Sequence, residues 1–421
     1  MITLEGASGV GKYITSELST KSKISPDQAA LNLNKLILLF MKIRTITTGI
    51  SLQSPQEISK IQQVAQFNQQ AKAVFEQQGY EVQTTRITTN PWEEYLPPST
   101  AEAIKEIQAL ETLCHSLDIS FFNIGYASRP ETIALIPDIN KHTSSIFCSS
   151  KIGDIDTGIN FKNAWESAKV IKRIAQETEN GYGNFRFCAW ANCLPGIPFF
   201  PTAYHLGNTS FSLGLELGDL VTQAFSQSQD MEVVEEKLQL LLEIELPKIE
   251  AIAKQISAKF AIEYNGIDTS LAPSLNQSNS IAFAYEKLLH GKFGSPGTLA
   301  ISGMLTRVFK NVSVKICGYS GLMLPVCEDV GLATRANEQT YDITNLLLYS
   351  AVCGCGLDTV PLPGESSVEQ IAAILIDIAT LAIKLNKPLS ARLFPIPNKK
   401  AGEMTTFNSP YLVDCKIFAI D

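Results

Sequence analysis

From Met41 onward the apolar positions repeat with two alternating periods. Lys42–Ile50 (KIRTITTGI) reads as a strand; Ser54-Pro55 then opens a helix striped by Ile58, Ile61, Ala65, Ala71 and Phe75 and closed by Gly79. Tyr80–Thr88 is the next strand, with Val82, Thr84, Arg86 and Thr88 alternating along it. Helix Ala101–His115, strand Ile119–Gly125, a helix about Glu131–Pro137, strand Ser145–Ser149, helix Phe161–Gln176 and strand Phe185–Trp190 follow. Strands alternating with helices of this length predict a largely parallel sheet with crossover helices. No shift of composition separates the units, so one barrel-like domain is predicted rather than several small ones.

The pattern then becomes less regular. Cys193–Glu216 carries Pro195, Pro198, Pro201 and His205 and reads as a long ordered loop entering a helix at about Thr209–Ser212. Helices Leu213–Phe225 and Met231–Ile256 follow, the second acidic and interrupted at Pro247. Phe260–Pro273 reads as a strand with Asp268 at the tip of a polar turn, and Ile281–His290 and Thr298–Phe309 read as helices. The stretch Cys317–Gly364 stands apart: it holds four of the nine cysteines, a short helix at Tyr341–Ala351, and Gly- and Pro-rich ends that read as loops. Helix Val368–Asn386, strand Leu389–Phe394 and a last strand Leu412–Phe418 complete the chain.

Composition narrows the classes. At 45% hydrophobic and 18% charged, the chain has the apolar content for a large core. A net charge of −8 leaves no basic excess for phosphates, which argues against a general nucleic-acid or membrane-surface binder. Nine cysteines without a secretory framework point to free thiols in a reducing cytoplasm. The most apolar run, Ile371–Leu385, contains Asp377 and Lys384 and is too short to span a bilayer, so it reads as a helix buried on most sides. Residues 1–40 read as an N-terminal extension with a degenerate phosphate-loop motif, Gly6-x4-Gly11-Lys12. Tyr13 stands where a Ser or Thr would hold Mg²⁺, no Walker-B strand follows, and Met41 is an alternative start.

Five blocks carry a resemblance: MKIRTITTGISL at the start of the domain, FGSPGTL at 293–299, GYSGLMLPVCEDVGLA at 318–333, GCGLDTVPLPG at 354–364 and LSARLFPIPNKKAG at 389–402. Together they resemble the DUF711 family, also called UPF0210, over residues 41–421. The resemblance implies a fold similar to pyruvate formate-lyase and ribonucleotide reductase, a ten-stranded α/β barrel around a central finger loop. It implies no assigned reaction, and it makes a small ACT-domain protein an expected partner. The related radical enzymes carry a cysteine at the finger-loop tip, for which Cys353 and Cys355 are the candidates here. They also store a radical on a glycine near the C-terminus. The tail AGEMTTFNSPYLVDCKIF holds nothing similar to Arg-Val-x-Gly-Tyr, so no glycyl radical is expected.

Candidate chemistry gathers on the central stretch. Gly354 and Gly356 beside Cys353 let backbone and ligand approach, which makes it a candidate nucleophile; Cys114, Cys148, Cys188 and Cys415 lie in apolar contexts and are expected in the core. Glu328, Asp329 and Asp358 are candidates for acid–base work or, as oxygen ligands, for Mg²⁺ or Ca²⁺; Asp329 equally suits a helix cap. Arg392, a cation inside the strand LSARLF, suits a clamp on an anionic substrate, with Arg335, Tyr319 and Ser320 as further substrate contacts. His205 is a candidate general base or a hydrogen-bonded structural residue. Two functions stay open. One is a non-radical cytoplasmic enzyme working on a small anionic molecule in the barrel interior; the other is a non-catalytic, ligand-binding regulatory barrel with an ACT-domain partner. Either is compatible with a homo-oligomer.

Overall fold

The computed structural model describes residues 41–420 apart from 98, 273 and 274, so the phosphate-loop-like stretch Gly6–Lys12 lies outside the described residues. Five strands run parallel and side by side: β1 (Lys42–Ile50), β2 (Val82–Thr89), β3 (Phe121–Ala127), β4 (Ile146–Asp154) and β6 (Phe187–Ala191). The short β5 (Gly158–Ile159) folds back on β4. Helices α1 (Ile58–Gln77), α2 (Thr100–Ser116), α3 (Pro130–Ile133), α4 (Ile136–His142) and α5 (Phe161–Glu177) occupy the crossovers. Beyond β1 lie β7 (Ser210–Glu216), antiparallel to it, and β8 (Glu263–Asp268), parallel to β7. Beyond β6 lie β10 (Leu389–Ile396), antiparallel to it, and β9 (Gly356–Pro363), parallel to β10. All belong to a single ten-stranded sheet. Helices α6 (Gly218–Phe225) and α7 (Met231–Phe260) join β7 to β8, and α12 (Val368–Lys384) joins β9 to β10. Between β8 and β9 come α8 (Ile281–Tyr285), α9 (Thr298–Lys310), α10 (Val330–Asn337) and α11 (Ile343–Ser350).

The edge strands are not left bare. Ile316 and Leu322 bridge to Ile267 and Leu271 on the β8 side, while Pro325 bridges to Asp358 in β9. One extended segment, 316–325, therefore supplies backbone partners to both edges, through isolated bridges rather than a continuous ladder. Gly321 and Gly354 let it pass: a Cβ on Gly354 would sit 2.8 Å from the backbone of Gly321.

The two faces of the sheet differ. On β1, the Thr48 hydroxyl donates to Asn68 of α1 (2.6 Å), whereas the neighbouring Thr47 donates to the Pro198 carbonyl (2.8 Å) on the opposite face. The helix-covered face holds the main core. In α1 alone, Ile61, Val64, Phe67, Ala71 and Phe75 are buried, the large ones contributing roughly 1.5–3 kcal/mol each. The other face is crossed by the loop 192–209, whose Ile197, Ala203, Tyr204 and His205 are buried. It is tied down by Asn123 donating to the Pro201 carbonyl (2.7 Å) and by Thr202 meeting the Tyr319 hydroxyl (2.7 Å).

Several sequence expectations change. The loop on the inner face is 192–209, while Cys353 and Cys355 sit in the turn before β9 and not at the tip of an inward loop. Residues 210–216 form strand β7 where a helix was expected, because Phe211, Leu213 and Leu215 follow a period of two and the helix begins only at Gly218. Helix α7 runs straight through Pro247, with Leu242, Leu246 and Ile249 buried around it. The Gly- and Pro-rich 356–363 is a strand, and 412–418 is not one: only a Met404–Lys416 bridge forms there. Among the described residues no helix is long and apolar enough to cross a membrane.

Candidate functional site

Where β1, β2, β3 and β4 begin, the inner face opens into a cavity of about 150 Å³. Its acidic end is built by three elements. Arg392 projects from β10 with its side chain only 8% exposed; its Nε donates to Asp358 Oδ1 (2.6 Å) at the start of β9, and its Nη2 donates to Glu328 Oε1. The guanidinium also lies over the Phe185 ring, 5.2 Å from its centre. Burial pulls this cation down, but Asp358 and Glu328 outweigh it and hold Arg392 above its ordinary value. Burial likewise pushes the Glu328 carboxyl up; Arg392 pulls it back and Asp358 pushes it up again. Glu328 and Asp358 both line the cavity, and their remaining oxygens, Oε2 and Oδ2, have no hydrogen-bond partner among the described residues.

The basic end is Arg86 of β2, 8% exposed. Its Nε donates to Thr84 Oγ1 (3.2 Å), and its guanidinium lies between the rings of Phe121 (5.4 Å) and Phe200 (5.3 Å). Among the described residues no carboxylate pairs with it, and Nη1 and Nη2 donate to nothing. Burial, with repulsion from Arg44 and Arg392 only partly offset by Glu328, pulls it down to about 9, so it is charged at neutral pH. Arg44 nearby is neutralised by Glu216 (3.5 Å). Phe147, Phe199 and Met323 add apolar wall, and Tyr411 from the C-terminal segment stacks on Phe185 (5.7 Å, 15°) at the rim.

Of the residues singled out by sequence, Glu328, Asp358 and Arg392 converge here. Asp329 does not. Its Oδ1 accepts from the Ser280 hydroxyl (2.7 Å) and the Leu332 amide (2.8 Å), and its Oδ2 from the Ile281 amide (2.6 Å). It is the N-cap of α10 and a support for α8, which is the capping alternative. A Mg²⁺ or Ca²⁺ site built from Glu328, Asp329 and Asp358 therefore does not fit, and among the described residues no group of three His, Cys, Asp or Glu side chains could hold a metal ion. Arg335, on α10, is engaged by Glu286 (2.6 and 2.7 Å) and Glu338 (2.7 Å) and does not line the cavity. His205 lies beside Gly49 and Thr89, at the opposite ends of β1 and β2; its Nε2 meets the Gly207 carbonyl (3.2 Å), and burial lowers its pKa.

Tyr319 and Ser320 hold the segment 316–325 in place. Their amides donate to the buried Asp268 (2.9 Å each), and the Tyr319 hydroxyl sits between Thr202 (2.7 Å) and Ser390 (2.8 Å). Cys353 is buried in the main core and does not line the cavity; Cys355 faces the inner cluster of Tyr319, Met323 and Cys188. A hydrogen bond from Cys355 lowers the Cys353 thiol, with the Lys387 ammonium and the Gly356 amide (3.2 Å) acting against burial. Lys387 itself donates to the carbonyls of Ser350 (3.0 Å), Ala351 (3.3 Å) and Cys353 at the C-terminal end of α11.

Arg86 and the phenylalanines are the site residues that sequence reasoning missed. The signal was weaker than for Arg392: Arg86 has one apolar strand neighbour, Ile87, and a polar one, Thr85, whereas Arg392 stands between Ala391 and Leu393.

A family model described as Uncharacterised ACR (DUF711) matches residues 39–408. A UPF0210 protein from Carboxydothermus hydrogenoformans is 26% identical over 400 residues, spanning 87% of this chain and 88% of its own. One from Methanopyrus kandleri is 25% identical over 399 residues, spanning 86% and 88%, and one from Syntrophobacter fumaroxidans is 28% identical over 292 residues, spanning 65% and 64%. The chain belongs to the DUF711 family.

Proposed function

We propose that this chain is a non-radical enzyme for a small anionic molecule, working in the cavity bounded by Arg86 and Arg392 inside a wall that residues 316–325 close into a barrel. The observation that carries the reading is Arg86: a buried guanidinium with two nitrogens open to a cavity and no carboxylate of its own. A buried cation in that state is costly unless a ligand anion meets it. Glu328 is the proton carrier of this reading. Burial and Asp358 raise its pKa above the ordinary carboxyl value, and the residue lines the cavity. Arg392 orients both carboxylates and so positions rather than reacts.

Native mass spectrometry of the purified chain is expected to reveal a retained small molecule that Arg86→Met releases. Turnover of that molecule is expected to fall by roughly 10²–10⁴ in Glu328→Gln, the usual range for a lost general acid–base group. Retention undiminished in Arg86→Met would remove the reading. A non-catalytic, ligand-binding regulator with an ACT-domain partner is favoured by one observation, that Cys353 stands away from the cavity. It would be marked by binding without turnover.

A further inference from the structure

We propose that the molecule bound here is a small zwitterion of the α-amino-acid type, its carboxylate on Arg86 and its ammonium between Glu328 and Asp358. The proposal rests on the reading of this cavity as a ligand site and adds the ligand's class.

The unsatisfied atoms make a complementary pattern. At one end Arg86 Nη1 and Nη2 donate to nothing; at the other Glu328 Oε2 and Asp358 Oδ2 accept nothing among the described residues. All four belong to residues that line one cavity, and a ligand with acceptors toward Arg86 and donors toward the two carboxylates would meet them together. Charge gives the same answer. Two carboxylates face the single guanidinium of Arg392, which leaves one negative charge at that end, and Arg86 leaves one positive charge at the other. Arg44, which also lines the cavity, pairs with Glu216 (3.5 Å), so the charges around the cavity still sum to one of each sign left for a ligand.

A dianion would meet Glu328 and Asp358, and a simple amine would meet Arg86. A molecule carrying one charge of each sign satisfies both ends. A cavity of 150 Å³ holds only a small molecule. The walls of Phe147, Phe199 and Met323 suit a short apolar side chain better than a second charge.

The test uses the full chain at neutral pH. Proteinogenic L-amino acids are screened by thermal shift, and those that respond are titrated calorimetrically beside the des-amino acid and the decarboxylated amine of the same side chain. The expected result is measurable binding of at least one amino acid, with both analogues weaker by roughly thirtyfold or more, the loss that follows removal of one partner of a buried charged pair. Arg86→Met is expected to abolish the preference over the amine, and Glu328→Gln the preference over the des-amino acid. The wild-type comparison decides even if a variant fails to fold. A des-amino acid binding as tightly as its parent, with dependence on Arg86, would overturn the zwitterion and leave an anion site standing. Failure of every amino acid and every des-amino acid to bind would remove both.

Discussion

Arg392 offers the sharpest physical test, because one buried cation holds two half-buried carboxylates. Arg392→Met keeps much of the side-chain volume and removes the charge, so Glu328 and Asp358 lose the donors at Oε1 and Oδ1 and face each other unscreened. Breaking a buried pair by removing one partner costs about 3–5 kcal/mol, a large share of the roughly 5–15 kcal/mol that holds a domain folded. The cost carries a pH signature. Glu328 already has its pKa raised above the ordinary 4.5 by burial and Asp358, and losing Arg392 raises it further. A carboxyl whose folded value is raised binds its proton in the native state before the unfolded one. Stability therefore falls as pH rises from the ordinary value to the raised one, by about 1.4 kcal/mol per pH unit for each such group, and is flat above it. The deficit of the variant is thus largest above the raised value and shrinks as pH falls toward the ordinary 4.5. Urea unfolding followed by tryptophan fluorescence at several pH values measures this, provided the slopes match wild type. The triple variant Arg392→Met, Glu328→Gln, Asp358→Asn is expected to recover much of the loss. A variant within about 0.5 kcal/mol of wild type at pH 7, or a deficit that grows on acidification, would refute the account of the cluster.

Asp329→Ala strips the acceptor from two amides and a hydroxyl at the starts of α8 and α10 and is expected to cost at least about 2 kcal/mol in chemical denaturation, with ligand affinity unchanged in whatever fraction folds. A loss of affinity in folded protein would instead put this carboxylate in the site. Gly354→Ala drives a Cβ to 2.8 Å from the Gly321 backbone, and because backbone yields less than a side chain, a loss toward the upper end of the usual ~1–3 kcal/mol is expected; an unchanged melting temperature would mean the two segments do not touch. The Cys353–Cys355 pair is expected to release one proton below the ordinary thiol value of 9.0, seen as a thiolate absorbance step near 240 nm that vanishes in Cys353→Ser and moves up in Lys387→Met. Since the folded value is lowered, the associated stability is present above the ordinary value and drains away as pH falls through the lowered one. A wild-type step at or above 9 would contradict it.

What sequence revealed, and what it hid, follows from where each signal comes from. Strand β1 and helix α5 are written in their own residues: alternation in one, and in the other Asn160 capping an apolar face by accepting from the Asn163 amide. Strand β9 is not, because Gly356, Pro361 and Pro363 carry the local marks of a loop. It is a strand because it sits at the edge, where β10 is its one ladder partner and the one bridge on its other side, among the described residues, is the isolated one at Asp358, so an absent proline N–H there costs no ladder bond. Strand β7 was legible in part: Phe211, Leu213 and Leu215 keep a period of two, and pairing with β1 and β8 fixes it as a strand buried on both faces.

The site divides along the same line. Cys353 drew interest through its neighbours, the flanking glycines, yet Gly354 is there so that backbone can pass backbone at Gly321, and the thiol turns into the core. Arg392 drew interest through a cost, that of placing a guanidinium between buried strand neighbours, and it stands at the cavity. Arg86 carried less of that mark, since Thr85 beside it is polar and only half-buried, and its place at the cavity shows only in the fold. Flexible or reactive residue types say what a position can do; an ionised group in a strand interior must be answered by something, and the answer is either a carboxylate of the chain, as for Arg392, or a molecule from outside, as proposed for Arg86.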